Sequence, residues 1–425
     1  MRLKGILENN DYSEVLKKGF IALVIRVLGF LFGYLFIYFT VKLFGAETQG
    51  RLSLSFSFMI IGSLFCRLGI DVNFVKIFST PNNFNNAKGI YFKTVPLVFG
   101  LTLIVASSVF LFSDVISTKI FHDKELSLFL KWTSPCIVLF TFILLNASVL
   151  RGLRKNAIYS FLFNGGRFIF SVLFLGFFLL LLPNNPVYTV ISHTLAILTL
   201  FFISFYYLKK HLFPLVKTTT YRLKPFIKDS LPMLFSASMI VFLGWSDTIV
   251  LGIYESSETV GFYSVVLKIA AVTSFSFQAI DSILAPKLSN SYHNGDIVLF
   301  KKLIKFSTIV NIIVATIVVA LILIFREFIL GFFGEDFMKV SLVLVILCVG
   351  QMFNAICGPV GSILQMTGYQ KIFQNILFFA LIINIVLNIS LVKLYGVDGV
   401  AFATAFSLAF WNITAYVYTK KVIRN

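Results

Sequence analysis

Apolar runs of twenty-odd residues recur along the whole of this chain, each long enough to cross about 30 Å of hydrocarbon as a helix. Twelve spans are predicted, at 20–44, 52–78, 90–112, 128–150, 158–182, 187–208, 231–254, 260–285, 303–325, 340–366, 372–392 and 400–417. Backbone polar groups cannot stay unpaired in lipid, and barrel strands would be about ten residues of strict alternation. The pattern therefore predicts an all-α, polytopic membrane protein. A polar amphipathic leader, 1–18, precedes the first span. That span is longer than a signal-peptide core and no small-residue cleavage site closes it, so the first helix is expected to stay in the protein.

Composition agrees with the pattern. The 425 residues are 58% hydrophobic and only 13% charged, with a mean hydropathy of +0.92, outside the range of soluble globular chains. Cys66, Cys136, Cys348 and Cys357 lie inside apolar runs with no CxxC or metal spacing and are expected as small buried hydrophobes. The net charge of +18 raises the question of nucleic acid. The basic residues, however, sit in short loops beside the spans, where they orient helices, and no nucleic-acid partner is expected. One set of alternate loops carries roughly three times as many Lys and Arg as the other, which predicts both termini on the cytoplasmic side.

The chain also repeats itself at an offset of about 211 residues. Glu47-Thr-Gln-Gly50 matches Glu258-Thr-Val-Gly261, Ile70-Asp71 matches Ile280-Asp281, and Lys209-Lys210 matches Lys420-Lys421. A period of this length suits a duplicated half-protein: 1–208, a basic linker at 209–229 carrying Pro214 and Pro225, and 230–425. With six spans each, the halves enter the membrane in the same orientation, as parallel repeats around a central cavity. The linker reads either as an orientation signal lying on an anionic leaflet or as a specific partner site.

Seven ionisable residues fall within the spans: Arg26, Arg67, Asp71, Arg167, Asp247, Lys268 and Asp281. At a helix centre each costs at least about 2.5 kcal/mol on insertion scales, so such residues usually face a partner or a watery cavity. Arg67 and Asp71 are four apart and could simply pair, while Arg26 and Asp281 are close enough to span ends to snorkel. A lumen bearing Arg67, Arg167 and Lys268 would suit an anion, and the guanidinium fork matches a diphosphate. Asn146, Asn164, Gln278, Asn354, Asn384 and Asn388 could bond sugar hydroxyls or simply join helices. His122, His193, His211 and His293 are scattered without ligand spacing, and neither a GxSxG nor a phosphate loop is present. The expectation is a transporter, not an enzyme, with no cofactor and no metal.

The stretches Asp247-Thr-Ile-Val-Leu-Gly252, Glu258-Thr-Val-Gly261-Phe-Tyr-Ser264 and Ala285-Pro286-Lys287-Leu-Ser289 resemble the polysaccharide-transporter branch of the multidrug/oligosaccharidyl-lipid/polysaccharide exporter superfamily, the Wzx-type O-antigen flippases. Phe44-Gly-Ala-Glu-Thr-Gln-Gly50 and Tyr395-Gly-Val-Asp-Gly-Val-Ala401 extend the resemblance over essentially the whole chain. It implies translocation of undecaprenyl-diphosphate-linked oligosaccharide, an O-antigen or other surface-polysaccharide unit of lipopolysaccharide type, to the periplasmic leaflet of a bacterial inner membrane. It also implies a cationic lumen at Arg26, Arg67, Arg167 and Lys268, ion coupling at Asp71, Asp247 or Asp281, and membrane lipids, a polysaccharide polymerase and a chain-length regulator as partners. The alternative within the superfamily is a cation-coupled multidrug exporter, which would want a more acidic or apolar lumen. Peptidoglycan-precursor flippases usually carry two further spans, and membrane polymerases or ligases need a large outer loop, whereas the largest here is 113–127.

Overall fold

A computed structural model of the protein describes residues 10–80, 83–213 and 219–424. Most of the predicted leader lies outside the described residues, as do linker residue Pro214, the side chains of Asn164 and Gln278, and those of Ala285 and Pro286 in the third quoted motif. Among the described residues every regular element is helical. The principal helices are α1 (Asn10–Arg67), α2 (Ile70–Ser79), α3 (Phe84–Leu111), α4 (Leu126–Gly152), α5 (Gly166–Leu181), α6 (Val187–Leu212), α7 (Leu223–Tyr254), α8 (Ser257–Ala271), α9 (Phe275–His293), α10 (Ile297–Ile324), α11 (Arg326–Phe333), α12 (Ser341–Cys357), α13 (Val360–Met366) and α14 (Gln370–Arg424). A short helix, Asn156–Ser160, and a π turn, Phe161–Gly165, lead into α5.

Among the described residues, eight helices are long and apolar enough to cross a membrane, or nine if the bent pair ending in α5 is one span. Two of the eight run through more than one predicted span: α1, which holds the first and most of the second, leaves helical geometry at Gly45 (φ +83°), and α14, which holds the last two, at Gly396 (φ +54°). Both glycines follow an aromatic residue, Phe44 and Tyr395, in the motifs quoted above. Large side chains such as Leu180 (86% exposed) and Ile324 (74%) stand open along these helices, the distribution expected where the surrounding solvent is lipid.

Four predicted spans are interrupted in the fold, the fifth at the π turn Phe161–Gly165 that leads into α5. The second breaks at Leu68 and Gly69, both at positive φ, between α1 and α2. Its repeat partner, the eighth, breaks at a 3₁₀ turn, Val272–Ser274, between α8 and α9. The tenth breaks at Gly358-Pro359, between α12 and α13.

The chain divides into two compact units, Met1–Ser238 and Met239–Asn425. The division falls inside α7, later than the residue-230 boundary expected from the repeat. Phe226, at the start of α7, belongs to the first unit's core with Phe74 of α2, Tyr91 of α3, Leu145 of α4 and Leu212 of α6. Asn73 of α2 also donates to Ser230 Oγ at 3.0 Å. Within this first unit α4 is the central helix, with Ile137, Ile143 and Ala147 fully buried against α1, α3 and α6. The second unit has its own core where α12, α13 and α14 pack around Leu364, Leu377 and Ala415.

Candidate functional site

In the first unit, Arg167 opens α5 just after the π turn. A Cβ at Gly165 would lie 2.9 Å from the Ile25 carbonyl oxygen and 3.1 Å from Gly29 Cα, so only glycine lets α5 approach α1 this closely. That contact brings the turn of α1 carrying Arg26 against the start of α5. The Arg167 guanidinium lies over the Phe168 ring (4.6 Å) and the Phe140 ring (5.6 Å), cation–π contacts in a largely desolvated place. Its Nε is buried without a hydrogen-bond partner among the described residues, and so is Nε of Arg26.

His193 of α6 sits in the same neighbourhood, 1% exposed, with its ring 4.1 Å from Phe56 and 6.0 Å from Phe168. Ser171 Oγ donates to the Arg167 carbonyl at 2.7 Å. Its oxygen is therefore left to accept from His193 Nδ1, 3.0 Å away. With the hydroxyl proton on the Arg167 carbonyl, Nδ1 carries the ring proton and Nε2 is a bare acceptor. Nε2 is also buried without a partner among the described residues. A buried donor on Arg167 and a buried acceptor on His193 both lack partners, which is uncommon in a folded interior.

Arg67 differs from the other two arginines. Its guanidinium pairs with Asp71 four residues on, and its Nε donates to the Ser63 carbonyl at 3.2 Å. The pairing bridges the break at Leu68-Gly69, so both residues have a structural role there.

In the second unit, Asp247 of α7 is 1% exposed and forms the centre of a polar cluster. Its Oδ2 accepts from Thr404 Oγ1 at 2.6 Å and from Tyr263 OH at 2.8 Å; its Oδ1 accepts from Asn388 Nδ2 at 2.8 Å. Asn384 in turn accepts from Ser246 Oγ at 2.7 Å and from Asn388 at 3.1 Å, while Asn388 Oδ1 is buried without a partner. No Lys or Arg pairs with Asp247 among the described residues. A buried carboxylate met only by neutral donors is costly unless it also holds a proton or a cation. The carboxylate and the Tyr263 and Thr404 hydroxyls are hard oxygen groups, of the kind that meet a proton or a hard cation, while Asn388 turns its Nδ2 to the carboxylate. Asp281 of α9 is half-buried and accepts from Ser362 Oγ at 2.5 Å. Lys268 lies in the last turn of α8, exposed.

The family model for polysaccharide biosynthesis proteins matches residues 15–291, more than half of the chain. The chain belongs to that family. A second family model, MatE, matches residues 232–390. Among curated proteins, the probable low-salt glycan biosynthesis flippase Agl15 of Haloferax volcanii is 27% identical over 169 residues, 40% of this chain and 36% of that protein. An uncharacterised membrane protein of Methanocaldococcus jannaschii is 32% identical over 183 residues, 42% of this chain and 41% of that protein. The matched stretches thus span less than half the length of these relatives. Among solved structures, the lipid II flippase MurJ in an inward closed conformation superposes with a TM-score of 0.75 at 17% identity, covering 96% of this chain and 87% of that one. An inward-facing MATE multidrug transporter of the MOP superfamily gives 0.74 at 12%, covering 96% and 98%. At these identities the likeness is one of fold, that of transporters of the MOP superfamily.

In this polysaccharide biosynthesis family member, the residues singled out by sequence divide between the units: Arg26, Arg67, Asp71 and Arg167 in the first, Asp247, Lys268 and Asp281 in the second. Asn384 and Asn388, read as possible sugar or interhelix contacts, meet Asp247. Asn146 joins Tyr91 OH (2.7 Å) to Ser204 Oγ (3.0 Å) between helices. Sequence reasoning missed His193, Tyr263 and Thr404. Tyr263 lay within the quoted Gly261-Phe-Tyr-Ser264 motif, which was a usable signal; His193 had none.

Proposed function

We propose that this protein is a flippase that moves a lipid-linked oligosaccharide between membrane leaflets by alternating access, with an anionic diphosphate held by Arg167 and Arg26 and a cation or proton exchanged at Asp247. Membership of the polysaccharide biosynthesis family supports this, as does the flippase description of its Haloferax relative. The observation that carries the reading is the partnerless, desolvated Nε of Arg167 beside the bare acceptor of His193. A sugar diphosphate offers both what the arginine lacks, anionic oxygens, and what the histidine lacks, hydroxyl donors. A diphosphate cannot cross hydrocarbon alone, because an unpaired ion there costs tens of kcal/mol in the idealised limit. Once lined by such groups, outward movement of negative charge is favoured by an inside-negative potential at about 2.3 kcal/mol per charge per 100 mV. No nucleotide is then required. Since the curated relatives are archaeal, the carrier is named by its chemistry, a polyprenyl diphosphate.

The second reading, a cation-coupled multidrug exporter, is favoured by the MatE match over residues 232–390. Variants of Arg167 separate the two. With protein level unchanged, Arg167→Ala should lower glycan export at least about tenfold, the loss of one desolvated charge-assisted contact, and Arg167→Lys should retain part of it. Normal glycan export by Arg167→Ala, together with lost drug resistance, would replace the flippase reading by the exporter.

A further inference from the structure

A cleft of about 510 Å³ opens in the first unit between the C-terminal end of α2 and the N-terminal end of α7. Ile77, Phe226 and Met233 give it apolar lining, while Asn73, at its side, is fixed by its bond to Ser230. Lys76, Arg222 and Asp229 carry its charge. All three are exposed, and none of them is in an ion pair among the described residues. Three charges around one cleft that leave each other unpaired are available to a ligand.

The cleft is built, not incidental. Its linker edge is tied to the start of α3: Thr219 Oγ1 donates to the Asn86 carbonyl at 2.9 Å, the Thr220 N–H to Asn86 Oδ1 at 3.1 Å, and Asn83 Nδ2 to Tyr221 OH at 2.9 Å. On the opposite edge, the break at Leu68-Gly69 lays α2 alongside α7. Arg222 immediately precedes the N-terminus of α7, so the positive end of a 32-residue helix adds to the two cations.

We infer that this cleft holds the phosphate of an anionic phospholipid headgroup. The chemistry that recognises it is a lysine, an arginine and helix N–H groups for the phosphate diester, above an apolar wall that a soluble phosphate would not use. Its position argues for a lipid: the mouth lies where the second and seventh spans end, on the side that the basic loops assign to the cytoplasm, which is headgroup depth. The basic linker then does more than orient the chain, because part of it is folded into a binding site. This inference is independent of which substrate the protein carries.

Native mass spectrometry of the full chain, titrated with phosphatidylglycerol, phosphatidylcholine or glycerol phosphate, tests it. Phosphatidylglycerol should bind in preference to phosphatidylcholine. Lys76→Ala or Arg222→Ala should weaken that binding about fivefold, and the double variant about thirtyfold. Lys301→Ala/Lys302→Ala, which removes the same charge at the start of α10, should change it less than about twofold. Asp229→Asn should tighten binding, a gain that misfolding cannot produce. An equal loss in both double variants would reduce the effect to general leaflet attraction and overturn the site. Full competition by glycerol phosphate would overturn the lipid as its source, and unchanged binding in the cleft double variant would overturn both.

Discussion

Under the proposed function coupling would turn on Asp247, the one acid in the described spans that accepts hydrogen bonds from three side chains on other helices. Tyr263, Asn388 and Thr404 all point donors at it, so removing the carboxylate should strand them, at about 1–3 kcal/mol for each buried group left unpaired. Asp247→Ala should therefore lower thermal stability in detergent clearly, whereas Asp247→Asn, which keeps one acceptor, should lower it less. The two variants differ in fold stability and agree in chemistry. Neither can carry a negative charge, so both should lose the dependence of transport on a proton or sodium gradient. An Asp247→Asn protein with an unchanged gradient response would leave Asp247 as a structural hub only. The Asp247 environment was only half legible in the sequence. A lone acid in an apolar run announces itself, but its partners lie 141 and 157 residues away, and no local pattern says that those spans meet it. His193 was illegible for a related reason: its meaning comes from a serine on another helix and from the carbonyl which that serine already occupies.

At the scale of elements, the spans were readable and their interruptions were not. Twenty apolar residues predict a helix whatever surrounds them, which is why α3, α4, α6 and α10 fall where the pattern put them. The break between α1 and α2 depends on α7 instead. Gly69 is at φ +73°, and a Cβ there would lie 2.3 Å from the Ser230 carbonyl oxygen and 2.6 Å from the Leu234 nitrogen, both rigid backbone atoms. Gly69→Ala should thus cost about 2–4 kcal/mol, combining a left-handed alanine with an overpacked contact. Gly100, inside α3 with nothing within 4 Å of its added Cβ, is the contrasting position. Gly100→Ala should change stability by less than about 1 kcal/mol. Thermal melts of both variants in detergent check the pair, and similar melting temperatures would mean that the close approach of α2 to α7 is not maintained in solution. The same glycine shapes the proposed headgroup cleft, so Gly69→Ala should weaken phosphatidylglycerol binding as well.

For the whole molecule, the repeat of about 211 residues predicts two halves with a boundary at 230, while the contacts divide the chain into two compact units inside α7. Linker and early α7 residues pack with the first unit because Phe226 completes a core that α2, α3 and α4 leave open. The candidate cations Arg26, Arg67 and Arg167 lie in the first unit, and the enclosed Asp247 lies in the second. Under the proposed function the cargo is a lipid-linked oligosaccharide whose leaflet the protein changes. The most direct measurement is to delete the gene and ask, with a membrane-impermeant lectin or oxidant, on which leaflet complete lipid-linked units accumulate. Full-length units should build up in the cytoplasmic leaflet, protected from the outside reagent, and the wild-type gene but not Arg167→Ala should restore their exposure. Units reaching the outer leaflet at the normal rate in the deletion strain would contradict that function.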